Sequence, residues 1–320
     1  MNNMTKRIVT LIPSATEIVS FLGVSKSIVG KSHECDFPKK LNKITKLTYP
    51  KIKVDGSSKQ IHNEINTILR KTLSVYDVDI KKLKKLKPNF IVTQAHCEVC
   101  AVSLKEVEKI TNKHLGENTS IISLQPHNLN EIFYDIRRVA KKLNIYNDKN
   151  KSSIHQLKNR LKKINKLSKK IRNKKKIACI EWTEPLMVAG NWVPEIVELA
   201  GGKDVLGKSK NNSHWIKFND LKKTNPDIII FIPCGFNIMK TKYEVDILLN
   251  KSKYWNSLKA FKKQEIYIAD GNQFFNRPGP RIVESTEILA EIINPEIFNY
   301  KHKNKGWINY FESKIKNKTK

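Results

Sequence analysis

The chain has 320 residues, with 60 Lys and Arg against 30 Asp and Glu and a formal charge of +30. That length exceeds one comfortable hydrophobic core and suits two domains of ordinary size, while an apolar share of 39% excludes a disordered chain. A positive field draws anions, nucleic acid or an acidic membrane surface, but short scattered runs such as Lys81-Lys82 and Lys174-Lys175-Lys176 read as solvated surface, so nucleic acid is not the expected partner.

Residues 7–12, Arg-Ile-Val-Thr-Leu-Ile, predict a first strand. The run is too short for a signal-peptide core and Pro13 stops it. No apolar stretch approaches the roughly 20 residues that span a bilayer. The five cysteines are an odd number and do not suggest a disulfide framework. The expected home is therefore the reducing cytoplasm, or the periplasm if the true start lies upstream. Ser14-Ala-Thr-Glu17 reads as a capping box opening a helix through Ile18, Val19, Phe21 and Leu22, closed by Gly23. Strands follow at 89–94 and 120–125, with a helix at 103–113 between them. Strands alternating with helices imply a mostly parallel sheet covered on both faces.

Residues 128–173 carry no strand signal. Ile154, Leu157, Leu161, Ile164, Leu167 and Ile171 form one apolar stripe on a lysine-rich helix, a strut of roughly 30 Å. The strand–helix rhythm restarts at 176–182. Pro194 opens a short helix ended by Gly201-Gly202. Strands at 227–233 and 265–270 and a helix at 281–293 complete it. The expected fold is α/β, with two doubly wound lobes of mostly parallel sheet joined by one long helix. The boundaries are 7–127, 128–173 for the helical segment, 174–298, and a basic tail at 299–320 with no assigned role.

Unusual residues cluster after these strands or in loops close to them, where a parallel sheet holds ligand-binding loops. They are His33-Glu34-Cys35-Asp36, His96-Cys97-Glu98-Val99-Cys100, Glu181-Trp182, Pro233-Cys234-Gly235-Phe236 and the loop from Phe275 through Asn276 and Arg277 to Arg281. Cys97 and Cys100 have the spacing to share a metal, to form a redox pair, or simply to pack at a helix start. Cys35 and Cys234 could complete a metal site if folding gathers them. Cys179, inside an apolar strand, reads as a buried structural thiol. His33 and Asp36 could orient one another or face a ligand. Trp182, Trp192 and Trp215 suit a flat apolar ligand if exposed, and interior packing if not. Arg277 and Arg281 can fork onto a carboxylate or phosphate. Glycine-rich nucleotide motifs and the serine-hydrolase elbow are absent from the sequence.

Residues 7–17, Lys87-Pro-Asn-Phe-Ile-Val92, the long helix, Glu198-Leu-Ala-Gly-Gly202 and Asn225-Pro-Asp-Ile-Ile229 resemble the cobalamin and ferric-siderophore substrate-binding proteins of ABC importers. The resemblance covers roughly residues 7–298. The loops at His33–Asp36, Cys97–Val102, Pro233–Phe236 and Asn276–Arg281 look like the subgroup labelled cobalamin-binding protein. The resemblance implies a ligand held between two lobes on a rigid helix, so that closure is small. It implies cobalamin or another corrinoid, or a related metal chelate, as the ligand. His33, Glu34, Asp36, Glu181, Trp182, Trp192, Trp215, Phe236, Asn276 and Arg277 are the expected contacts. It also implies a monomer that docks on a permease through one acid per lobe, for which Glu106 or Glu108 is the candidate in the first. The other expectation is a cytosolic metal–thiolate or redox enzyme using Cys35, Cys97, Cys100 and Cys234.

Overall fold

A computed structural model of the protein describes residues 6–70, 72, 74–95 and 101–318. Its first half runs β1 (Ile8–Thr10), α1 (Pro13–Phe21), β2 (Ile28–Lys31), β3 (Thr45–Lys46), β4 (Thr48–Pro50), α2 (Ser58–Leu69), β5 (Tyr76–Val78), α3 (Ile80–Leu86), β6 (Phe90–Gln94), α4 (Leu104–His114), β7 (Ser120–Leu124), α5 (Leu129–Lys142) and α6 (Asp148–Ser168). The second runs β8 (Lys176–Trp182), β9 (Met187–Val188), α7 (Val193–Leu199), β10 (Lys203–Asp204), β11 (His214–Trp215), α8 (Phe218–Thr224), β12 (Ile228–Phe231), α9 (Ile238–Lys251), α10 (Lys259–Lys262), β13 (Ile266–Ala269), α11 (Ile282–Ile293), β14 (Trp307–Asn309) and α12 (Tyr310–Lys318). The chain forms two compact units. The first takes the described residues up to Gly56, then Gln60–Pro126 and Asn130–Ile154; Ser57–Lys59, His127–Leu129 and the residues from His155 onward belong to the second. The α/β class is as the sequence implies.

The first unit holds a five-stranded, wholly parallel sheet in the order β3-β2-β1-β6-β7. Its central strands are apolar on both faces, so Ile8, Val9, Ile91 and Val92 have no exposed surface. Val9, Leu11, Leu47, Leu83, Ile91 and Val107 share one core. The capping box expected at Ser14 does not form. Ile12 is the N-cap and Pro13 occupies the first turn, so Ser14 lies inside the helix, buried, its hydroxyl without a partner among the described residues. Proline presets the helical φ and needs no N–H partner, and this starts the helix before Ser14 can cap it.

The second unit holds a sheet in the order β11-β9-β8-β12-β13-β14, with β10 also on β8. The strands β8, β10, β12 and β13 are parallel, and β9, β11 and β14 run antiparallel to their neighbours. Ala178, Ile180, Ile229, Phe231, Trp255, Ile268 and Tyr310 lie in its core. The segment read as a basic tail is part of this unit. Its strand β14 pairs with β13, and Trp307 and Tyr310 are buried. Those aromatics supply apolar surface to the sheet, while Lys301, Lys303 and Lys305 remain in solvent.

Ile154, Leu157, Leu161 and Ile164 bury the expected stripe of α6. Arg160 on the same helix reaches α11. Its Nε and Nη2 donate to Glu287 Oε1 at 3.0 and 2.8 Å, and its Nη1 donates to Glu284 at 3.1 Å. His302 Nε2 lies 3.0 Å from the other Glu287 oxygen. Burial alone would raise the Glu287 carboxyl, but the hydrogen bonds from His302 and Arg160 outweigh it and hold it below its usual range. Its contribution is therefore present above the ordinary carboxylate pKa and is lost as pH falls through the depressed one. Because Arg160 stays partly solvated, Glu287→Ala is expected to cost about 2 kcal/mol, less than breaking a fully buried pair. Urea unfolding at pH 7 measures it.

Candidate functional site

In open α/β sheets, ligand groups gather beyond the carboxyl ends of the strands, where the strand order reverses. In the first unit that point falls between β1, with β2 and β3 to one side, and β6. The loop after β2 is held from beneath by Lys31, which is buried and donates from Nζ to the Cys35 carbonyl at 2.7 Å. Burial lowers the Lys31 pKa, opposed by the nearby Cys35 and Asp36 and helped by Lys46. Cys35 is 2% exposed, and its sulfur accepts from Thr16 Oγ1 at 2.9 Å. Thr16 is in turn 2.7 Å from Thr10 Oγ1. This thiol is packed into the base of the loop. His33 Nδ1 lies 2.7 Å from Thr48 Oγ1, and its backbone N–H donates to the same oxygen at 3.0 Å. Its ring sits 5.2 Å from that of Tyr76, whose hydroxyl donates to Glu34 at 2.8 Å. Burial, then the charge of Lys46, lowers the His33 pKa to about 4, so the imidazole is neutral at pH 7. Asp36 is exposed.

The corresponding point of the second unit lies between β8 and β12. Glu181, near the end of β8, accepts from Ser213 Oγ at 2.7 Å, and Ser213 accepts from the Gly190 N–H at 3.1 Å. Burial pushes the Glu181 carboxyl up to about 7 against that hydrogen bond. Cys234 donates its N–H to the Glu181 carbonyl at 3.3 Å. Asn276 Nδ2 bridges the Ile232 and Gly271 carbonyls at 3.1 and 3.0 Å, joining the ends of β12 and β13. Arg277, 5% exposed, donates to Asn272 Oδ1, and Asn272 donates its N–H to the Phe236 carbonyl. The rings of Phe236 and Trp182 are 5.1 Å apart. Glu181, Trp182, Cys234, Phe236, Asn276 and Arg277 thus belong to one connected loop frame.

The tryptophans divide between the two alternatives, interior packing and exposure. Trp182 and Trp192 are buried, and their indole N–H groups donate to the Ser58 and Phe275 carbonyls at 3.2 and 2.7 Å. A buried indole must satisfy its N–H, and here the backbone does so, which makes both rings packing elements. Trp215 on β11 is 51% exposed. Beside Trp182, Thr183 Oγ1 donates to Ser58 Oγ at 2.8 Å, and Ser58 donates from N and Oγ to Glu244 Oε2 at 3.1 and 2.7 Å. Sequence reasoning missed Ser58, Thr183, Ser213 and Glu244 here, and Thr10, Thr16, Lys31, Thr48 and Tyr76 in the first unit. Their partners are mostly distant in the chain, and local spacing carries no signal of that. Cys97 and Cys100 lie outside the described residues. Among the described residues no group of three His, Cys, Asp or Glu side chains is placed to hold a metal. Cys179 is buried as expected, its pKa well raised by burial.

The periplasmic binding protein family matches residues 8–272. An ABC transporter substrate-binding lipoprotein of Bacillus subtilis, YvrC, itself uncharacterized, is 23% identical over 300 residues, covering 92% of this chain and 81% of that protein. Solved structures share the fold. The periplasmic vitamin B12 binding protein BtuF of Vibrio cholerae superposes with a TM-score of 0.62 at 16% identity, over 91% of this chain and 97% of that one. The periplasmic heme-binding protein RhuT from Roseiflexus sp. RS-1 gives 0.67 at 18%, over 91% and 98%. Staphylococcus aureus IsdE, complexed with heme, gives 0.67 at 18%, over 90% and 99%. Among the described residues no helix is long and apolar enough to cross a membrane. A periplasmic family and a lipoprotein relative overturn the cytoplasmic expectation and point outside the cytoplasm. An odd cysteine count is a weak guide to compartment beside a family match over most of the chain. The chain belongs to the periplasmic binding protein family.

Proposed function

We propose that the protein captures a small-molecule metal chelate for an ABC importer, with cobalamin or another corrinoid as the first candidate and haem or a ferric chelate as the others. The observation that carries this reading is the gathering, within each unit, of polar and aromatic loop residues beyond the carboxyl ends of a parallel sheet at its switch point. In the first unit, His33, Glu34 and Asp36 are the proposed contacts. A neutral imidazole can accept a hydrogen bond or approach a chelated metal. In the second unit, Glu181 offers a carboxyl that donates or accepts near neutral pH and Trp215 offers a ring face, while Phe236, buried against Trp182, helps to shape the loop. Trp182, Trp192, Asn276 and Arg277 shape the loops that present them. The chelate class is supported by relatives whose names give vitamin B12 or heme as the ligand. An importer permease is the proposed partner.

Isothermal titration with aquocobalamin, cobinamide, haemin and a ferric siderophore tests this. Micromolar or tighter binding to at least one is expected, and no binding to any of them sinks the proposal. The metal–thiolate enzyme reading finds no support. Its cytosolic premise has fallen, and Cys35 is packed beneath Thr16.

A further inference from the structure

The charge of this chain is not evenly spread. No acidic residue lies between Asp148 and Glu181, and the same stretch carries thirteen Lys and Arg. Most of that stretch is α6 and the turn after it. Ile154, Leu157, Leu161 and Ile164 turn one side of the helix inward. Lys162, Lys163, Lys166, Lys169 and Lys170 are exposed on the other side. At 3.6 residues per turn Lys162, Lys163 and Lys166 fall within about a third of the helix circumference, and Lys169 and Lys170 follow in the turn after Ser168. Arg160, whose guanidinium is held by Glu284 and Glu287, borders them. None of the five lysines has a carboxylate partner among the described residues. A groove of about 500 Å³ runs along the same face, lined by Gln156, Asn159, Arg160, Lys162, Lys163 and Lys166.

We propose that this face of α6 is a docking surface for an anionic phospholipid membrane. A cluster of unpaired ammonium groups on one side of the end of a helix matches a flat sheet of phosphodiester headgroups. A lipoprotein relative is held at a membrane by its lipid, where a weak electrostatic contact would orient the protein on the surface. The proposal rests on the extracytoplasmic setting and not on the identity of the small-molecule ligand. Each lysine at the surface contributes about fivefold in affinity, and the attraction fades within a Debye length, about 8 Å at physiological salt.

Co-sedimentation of the full chain with vesicles of phosphatidylcholine alone, or with 30 mol% phosphatidylglycerol, tests it at about 0.1 M salt. Binding is expected only to the anionic vesicles, with loss at about 1 M salt, where the Debye length is near 3 Å. The variant K162E/K166E/K169E/K170E should lose at least about 100-fold in affinity. A charge-matched control, K39E/K40E/K84E/K85E, should retain most of it. Circular dichroism and thermal melting confirm that both variants are folded. If a variant does not fold, the single changes K166E and K170E serve in its place, each expected to weaken binding severalfold. No binding to the anionic vesicles overturns the proposal. So does equal binding to neutral ones, equal loss in the control, or a preference for a soluble poly(glycerol phosphate) over vesicles. Chelate titration of the same samples reports independently on the proposed function.

Discussion

Gly271→Ala is expected to destabilise the second unit by about 3 kcal/mol or more, the upper end of what overpacking costs. Gly271 follows β13, and a methyl group there would lie 2.1 Å from the Pro233 carbonyl oxygen and 2.7 Å from the Ile232 carbonyl carbon and oxygen. These are backbone atoms at the end of β12, so no side chain can swing aside. The two strand ends must part, and Asn276, which bridges the Ile232 and Gly271 carbonyls, must release at least one of them. In a unit of this size the loss corresponds to a fall of roughly 6–12 °C in melting temperature. Gly235→Ala is the informative comparison. Gly235 has φ +76°, but nothing lies within 4 Å of the added methyl, so only the left-handed backbone opposes it, costing about 1–2 kcal/mol. A Gly271→Ala protein as stable as wild type would show that the strand ends are not in close contact.

The second large effect is expected at Glu181. Burial gives its carboxyl a folded pKa of about 7, above the ordinary 4.5. Between those values the folded protein binds a proton that the unfolded chain has released. Glu181 therefore costs nothing below pH 4.5, and its penalty grows as pH rises to about 7 and is constant beyond, reaching up to about 3 kcal/mol. Glu181→Gln keeps an oxygen to accept from Ser213 and removes the ionisation. The variant should be more stable than wild type at pH 8, by up to about 3 kcal/mol, and no more stable at pH 4.5. Urea midpoints at the two pH values decide it, and a difference independent of pH would refute the titration. A site that tolerates such a penalty is one where polar function opposes stability, consistent with the proposed ligand role.

The parts of the fold written in continuous apolar runs are legible from the sequence. Residues 89–94, 176–182 and 227–233 have that form because the inner strands of a parallel sheet are buried on both faces. The stripe on α6 is legible for the same reason. Strand β2 gives no such signal, because it ends in a buried lysine whose partner, the Cys35 carbonyl, lies in the following loop. The two-residue strands β9, β10 and β11 are too short for any period. Pro13 shows where α1 begins, but the neighbouring Ser14 imitates a cap. In the site, the loop clusters stand out because His, Cys and Trp are uncommon in surface loops. Their supports do not. Ser58 meets Thr183 and Glu244 from more than a hundred residues away, and only the folded chain brings them together. Burial separates Trp182 and Trp192 from Trp215, and a residue letter does not encode burial.

The strand β14 has a consequence for the behaviour of damaged protein. By pairing with β13 through Tyr267, Ile268 and Ala269, it occupies backbone donors and acceptors on an uncharged Ile-Tyr-Ile-Ala segment. The Asp270 N–H donating to the Gly306 carbonyl extends that seal by one more bond. Proteolytic nicking among the exposed residues just before β14 would let the closing strand peel away. The bared edge would then be a template for a strand from another molecule, so that the last segment of the sheet acts as a guard against aggregation.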